Sequence, residues 1–254
     1  MTDGKDPFGE LVPGRGLPPG LVQRFPDRVL VMTTDACFRR CAHCTRRFIL
    51  GRAPVADTPE KIAACAGYVR RHRAVRDVLL SGGDVLTLSD ARVAHLVGTF
   101  AAMPQVDVVR ICTRAPVDRP SRITASLAEI LSASRKVWVN VHINTAAEAK
   151  RAAGPAALLV DRGVPVSSQT VLLRGVNDSV RRMLALLRAL SAARIRPYYV
   201  FQCDPVEGSE RFGVPLEKAK RIEAACAERI GGLSLPRFVA DMPGSKRKIP
   251  LDLL

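Results

Sequence analysis

The strongest chemical signal is TTDACFRRCAHCTRR, residues 33–47, where Cys37, Cys41 and Cys44 are separated by three and then two residues. Thiolates are soft ligands that suit zinc or iron–sulfur clusters. A structural zinc takes four ligands, usually as two pairs of Cys or His. His43 lies between Cys41 and Cys44, would point away from a site they share, and no second CxxC pair follows. Three thiolates on one short loop instead fit a [4Fe–4S] cluster with one iron left open. The rival is a basic RNA-binding module with structural zinc. Cys65 and Cys226 lie in Ala-rich helical patterns, and Cys112 and Cys203 in apolar runs. Those four read as small buried hydrophobes.

Other candidates are scattered along the chain. Ser81, Gly82, Gly83 and Asp84 spell SGGD. The glycines let backbone approach a ligand closely, and Asp84 or the carbonyls can accept from an ammonium. A tight turn with Asp84 as a cap accounts for the same four residues. His142 and Gln169 end apolar runs, and each reads equally as a ligand contact or a satisfied buried polar group. Arg24 and Arg28 bracket RFPDR, and Arg46 follows the third cysteine closely. The planar fork of arginine suits phosphate and carboxylate groups. Asp204, Asp241 and Lys248 complete the set.

These residues need a scaffold that gathers them. Apolar, β-branched-rich runs recur at 28–35, 76–83, 106–113, 136–143, 165–173 and 196–203. Segments of helical periodicity lie between and after them, at 58–73, 89–101, 121–134, 146–162, 178–193 and 215–230. Alternating buried strands and amphipathic helices predict an α/β fold with a parallel sheet. Six units fall short of a complete eight-fold barrel. A partial (β/α)6 TIM-like barrel, or an open doubly wound sheet, follows. Right-handed crossovers then bring every strand's C-terminal end to one rim, where such folds do their chemistry. The expected organisation is an extended Pro/Gly-rich arm over 1–27, a barrel over 28–232 and a C-terminal segment over 233–254 packed on it.

The chain has 254 residues and a formal net charge of +15. Nucleic acid is not indicated, because no dense basic block or aromatic–basic interleaving occurs. No apolar run is long enough to span a membrane, and the N-terminus lacks a signal-peptide core. The expectation is a soluble cytoplasmic protein.

The ordered motifs DPFGE, RFPDRVLVMTTDACFRRCAHCTRR, DVLLSGGD, TRAPVDRPSRIT, VLLRGVND, RPYYVFQCD and DMPGSKRKIP resemble the radical S-adenosylmethionine (SAM) enzymes, specifically the lysine 2,3-aminomutase family. The resemblance runs from Asp6 to Pro250. It implies a [4Fe–4S] cluster on Cys37, Cys41 and Cys44 whose open iron chelates SAM. Ser81, Gly82, Gly83 and Asp84 match the motif for the SAM amino group, with His142 and Gln169 as further SAM contacts. Lys248 matches the lysine that carries pyridoxal phosphate (PLP), with Lys246 and Arg247 as cations beside it. Arg24 and Arg28 match the PLP phosphate arginines. Arg46 matches the partner of the substrate carboxylate. Asp204 and Asp241 match the pair that holds the substrate's distal ammonium, which argues for L-lysine or a similar basic amino acid. The implied reaction moves the amino group from C2 to C3 of an imine between substrate and PLP. A one-electron reductant of the flavodoxin or ferredoxin type is implied, and self-association is left open.

Two departures stand out. Ser245, Lys246 and Arg247 replace residues that are usually glycine in the family, and Phe201 stands where tyrosine is common. The altered GSKRK loop keeps one alternative in view. It is a radical SAM enzyme of another reaction type, acting on an amino acid or peptide without PLP.

Overall fold

Short runs rich in valine, leucine and isoleucine form the strands because their branched side chains pack on a pleated, buried surface. The computed structural model describes residues 4–11, 14–245 and 247–254. Its strands are β1 (Leu21–Phe25), β2 (Arg28–Thr34), β3 (Asp77–Gly82), β4 (Val108–Thr113), β5 (Val137–His142), β6 (Val166–Leu172), β7 (Arg196–Gln202), β8 (Arg237–Ala240) and β9 (Ile249–Pro250). They lie side by side in chain order in one sheet. Strands β2 to β8 pair parallel, and β1 and β9 add antiparallel edges. The edges do not pair with each other, so the sheet is an open, partial barrel.

The helices are α1 (Pro59–Arg71), α2 (Asp90–Ala101), the short α3 (Ala115–Asp118), α4 (Ala125–Ser132), α5 (Ala146–Val160), α6 (Val180–Ala192) and α7 (Leu216–Ala227). Most begin on a hydroxyl cap, at Thr58, Ser89, Thr124, Thr145 and Ser179. Each hydroxyl accepts from the backbone N–H three residues on, meeting a donor that the helix leaves free. Thr145 and Glu148 complete a capping box. The core between helices and sheet is aliphatic, with Val31, Val78, Val109, Val139 and Leu186 fully buried.

The six expected strand–helix units are present with ends shifted by a residue or a few. Three strands lie outside them, β1, β8 and the two-residue β9. β1 forms within the Pro/Gly-rich arm, where its polar residues obscured the alternation. β8 extends the parallel sheet by a seventh strand, and at four residues it is too short to show a period. Among the described residues no helix is long and apolar enough to cross a membrane.

Candidate active site

The C-terminal ends of β3 to β7 and the loop after β2 enclose a cavity of about 360 Å³. It is lined by Cys37, Cys41, Cys44, Ser81, Gly82, Gly83, Asp84, His142, Gln169, Arg24, Arg28, Arg46, Asp204, Asp241 and Lys248. Every candidate that the sequence scattered along the chain borders this one space.

The cluster loop and SGGD are joined through backbone. Gly83 N–H donates to the Thr34 carbonyl at 2.6 Å, and Asp84 N–H to the Ala36 carbonyl at 2.7 Å. Gly82 adopts φ +114, and a Cβ there would fall 2.3 Å from the Thr34 oxygen. A Cβ on Gly83 would fall 2.1 Å from the Ala36 oxygen. Both positions therefore exclude any side chain, because the cysteine loop packs directly on them.

Asp84 is buried and spends its carboxylate on the fold. It accepts from the Thr113 hydroxyl and the Arg114 N–H, both at 2.7 Å, and from Leu86 N–H at 3.0 Å. It caps the 3-10 turn Val85–Thr87 and ties the end of β3 to that of β4. Burial raises its pKa, partly offset by these donors.

The three thiols share the cavity wall without closing a small cage. Among the described residues no three Cys, His, Asp or Glu side chains converge tightly enough to hold a single metal ion. Thiolates on one zinc lie within about 4 Å of each other, given Zn–S bonds near 2.3 Å. A cubane cluster binds each cysteine through a different iron, and three soft thiolates from one loop bordering the cavity are the donor set that suits it. Burial, then the neighbouring Cys44, pushes Cys37 up to about 11, and burial raises Cys41. Metal binding must therefore displace protons.

His142 donates from Nε2 to Asn144 Oδ1 at 3.1 Å, since that oxygen can only accept. Burial, Arg114 and His43 keep its pKa well below the ordinary range, so it is neutral. Gln169 is its register partner on β6. The His43 ring lies 5.3 Å from that of His142, and its buried Nε2 has no partner among the described residues. Asn140 Nδ2 is likewise buried and unpartnered on the cavity wall. Such orphaned donors and acceptors are costly unless a ligand meets them.

The charged end of the cavity is a network. Arg24 grips Asp241 with two hydrogen bonds, of 2.8 and 3.0 Å. The Lys248 ammonium donates to Asp241 Oδ2 as well. Burial lowers the Lys248 pKa, with Asp241 opposing. Asp204 has no ion pair among the described residues. Burial, then the nearby Asp241 charge, pushes it up to about 7. Arg28 pairs with its exposed neighbour Asp27 at 2.9 Å. Of the cations expected beside Lys248, Arg247 is exposed and Lys246 lies outside the described residues. Among the described residues, Arg24 from β1 is a cation that acts on it.

Arg46 is clamped by Glu10, from Nε at 2.6 Å and from Nη2 at 2.9 Å. Its Nη1 faces the Ser81 hydroxyl and the Gly82 carbonyl, each at 3.4 Å. Sequence reasoning missed Glu10, whose only signal was its place in DPFGE. It also assigned no role to Arg110, buried on the cavity wall and paired with Asp77 at 2.6 Å. Arg114 was missed too. It binds Asp118, Glu148 and the His142 carbonyl, tying the end of β4 to the end of β5 and to helices α3 and α5. Asn177 of RGVND is a structural bolt, bonded to Leu173 N–H and to the Asn144 and Val171 carbonyls.

Comparison with known proteins bears on the same elements. Residues 31–187 match the sequence profile of the radical SAM superfamily. An L-lysine 2,3-aminomutase of Fusobacterium nucleatum is 42% identical over 237 residues, 92% of this chain and 55% of that protein. A Treponema pallidum protein carrying the same name provisionally is 39% identical over 250 residues, 97% of this chain and 69% of its own. The chain belongs to the lysine 2,3-aminomutase family of radical SAM enzymes. The chain spans about half the length of several of the curated relatives it matches. Streptococcus suis SuiB, solved with S-adenosylmethionine bound, aligns with a TM-score of 0.64 at 17% identity, over 85% of this chain and 51% of that one. That likeness shows the shared fold. Radical SAM membership brings a [4Fe–4S] cluster and SAM as cofactors, which a basic RNA-binding module with structural zinc would not carry.

Proposed function

We propose that this chain carries out a PLP-dependent amino shift from C2 to C3 of a basic amino acid, with L-lysine the favoured substrate. The observation that carries the choice is the half-buried Asp204 and the buried Asp241 beside Lys248, with Arg46 at the cysteine side of the same cavity. A substrate with one carboxylate and a distal ammonium matches that polarity. The lysine aminomutase relatives support the reaction type.

When bound, the cluster with SAM supplies a hydrogen-abstracting radical, and PLP a conjugated ring over which an unpaired electron spreads. The protein's own part is binding and exclusion. Cys37, Cys41 and Cys44 would hold the cluster. Ser81 and the SGGD carbonyls, with His142 and Gln169, would receive SAM. Lys248, whose pKa is lowered by burial, would carry PLP. Arg28 is the candidate for its phosphate, with Arg24 committed to Asp241 in the state described. Arg46 would bind the substrate carboxylate end-on, because Glu10 takes only the Nε side of its fork. Asp204 and Asp241 would hold the distal ammonium. Val171 and Phe201 supply apolar wall that keeps water from the reacting atoms.

A cytoplasmic setting suits seven unpaired cysteines. The formal charge of +15 favours an acidic one-electron donor of the flavodoxin or ferredoxin type. The test is anaerobic incubation of reconstituted protein with SAM, PLP, dithionite and a panel of amino acids. Conversion of lysine to its 3-amino isomer is expected. Unchanged lysine alongside a rearranged acidic or neutral amino acid sinks the two-aspartate argument.

A further inference from the structure

Asp241 is already spoken for. Arg24 engages both of its oxygens, and the Lys248 ammonium shares Oδ2 with Arg24. A carboxylate offers about four acceptor positions, and three are taken. Lys248 Nζ is also packed against the Phe25 and Phe201 rings, 5.4 Å from each centroid. Arg24 is held in turn over the Phe8 ring at 4.1 Å. The cationic partners of Asp241 are thus fixed from β1, from the residue before β9 and from the N-terminal arm. Asp204, its neighbour, has no such partner among the described residues.

We propose that Asp241 is a counter-ion shared in turn by Lys248 and by the incoming substrate's distal ammonium, with Arg24 as the positioning residue that aims its carboxylate. The inference rests on the reading of Asp204 and Asp241 as the ammonium site. While Lys248 is free, its ammonium sits where the substrate's would, and two cations cannot share the place without repulsion. Lys248 first gives one proton to solvent, and its neutral amine then condenses with an aldehyde, both amine hydrogens and the carbonyl oxygen leaving as one water. The planar nitrogen that remains carries neither hydrogen nor charge toward Asp241, which is freed. Cofactor loading therefore precedes productive substrate binding.

The test uses the full chain, cluster-reconstituted and kept free of PLP, titrated calorimetrically with L-lysine and with L-norleucine, which lacks the distal amine. Lys248→Met is expected to bind lysine at least tenfold more tightly than the unaltered chain, with norleucine changed less than twofold. Adding Asp241→Asn to Lys248→Met is expected to abolish the gain. Lys248→Arg keeps the cation and is expected to stay as weak as the unaltered chain. A Lys248→Met protein that gains nothing, while Asp204→Asn still weakens lysine binding, overturns the exchange and leaves the ammonium site standing. Lysine and norleucine binding alike in every variant overturns the site reading and the exchange together.

Discussion

Glu10 and Arg46, 36 residues apart, meet in a two-pronged ion pair of 2.6 and 2.9 Å on the cavity wall. Glu10 is itself fixed from within the arm, where the Asp6 carboxylate accepts from the Glu10 and Leu11 N–H groups at 2.9 and 2.8 Å. Arg46 is largely buried, and Glu10 is the acid that compensates it. Replacing Glu10 by Ala should therefore lower stability by about 3 kcal/mol, the cost of leaving one member of a buried pair alone. Glu10→Gln, which keeps one hydrogen bond, should lose less. Urea unfolding of the two variants measures the difference.

Gly83 sets the contact between the SGGD turn and the cysteine loop. Gly83→Ala would push a methyl group to 2.1 Å from the Ala36 carbonyl oxygen, so the loop must move. Reconstituted iron and sulfide per chain should fall several-fold. Gly98→Ala, with nothing within 4 Å of the added atom, should reconstitute as the unaltered chain does. Equal metal content in both variants would show that the loop tolerates the shift.

Asp84 should behave as a structural residue first. Asp84→Ala orphans the Thr113 hydroxyl and the Arg114 and Leu86 N–H groups together. A loss of about 3 kcal/mol or more in thermal or denaturant unfolding is expected, since each unmet buried donor costs about 1–3 kcal/mol. Unchanged stability with weakened SAM binding would make it a ligand contact instead.

Asp204 makes stability depend on pH with a definite sign. Its folded-state pKa is raised to about 7 by burial and the Asp241 charge. The folded state therefore binds more protons than the unfolded state between the ordinary carboxylate range and about 7, and stability falls as pH rises through that window. Asp204→Asn removes this dependence. The melting temperature of the unaltered chain relative to Asp204→Asn should rise as pH is lowered from 7.5 to 5. A flat difference across that interval would mean Asp204 is ionised throughout.

The strand–helix rhythm was legible along the chain because alternation of buried runs and amphipathic segments is a local property. Cys37, Cys41 and Cys44 were legible for the same reason, since their spacing is contained in one loop. So were the motifs that carry the family likeness. The glycines of SGGD were visible, but their reason was not. The atoms that forbid a side chain at Gly82 and Gly83 belong to Thr34 and Ala36, on another strand's loop.

The partners of the charged residues belong to tertiary structure alone. Arg24 reads from sequence as a phosphate ligand, yet in space its fork closes on Asp241, 217 residues away. Arg46 reads as an open substrate arginine, yet Glu10 holds one side of it. Lys248 has Arg24 and Asp241 beside it, brought from β1 and from the end of β8, while its sequence neighbour Arg247 is exposed. Residue type and spacing determine which chemistry a chain can carry. Which charge meets which is decided only when the sheet curls and brings β1 together with the segment from Asp241 to Lys248 at one cavity, because Coulombic pairing depends on distance in space and not along the chain.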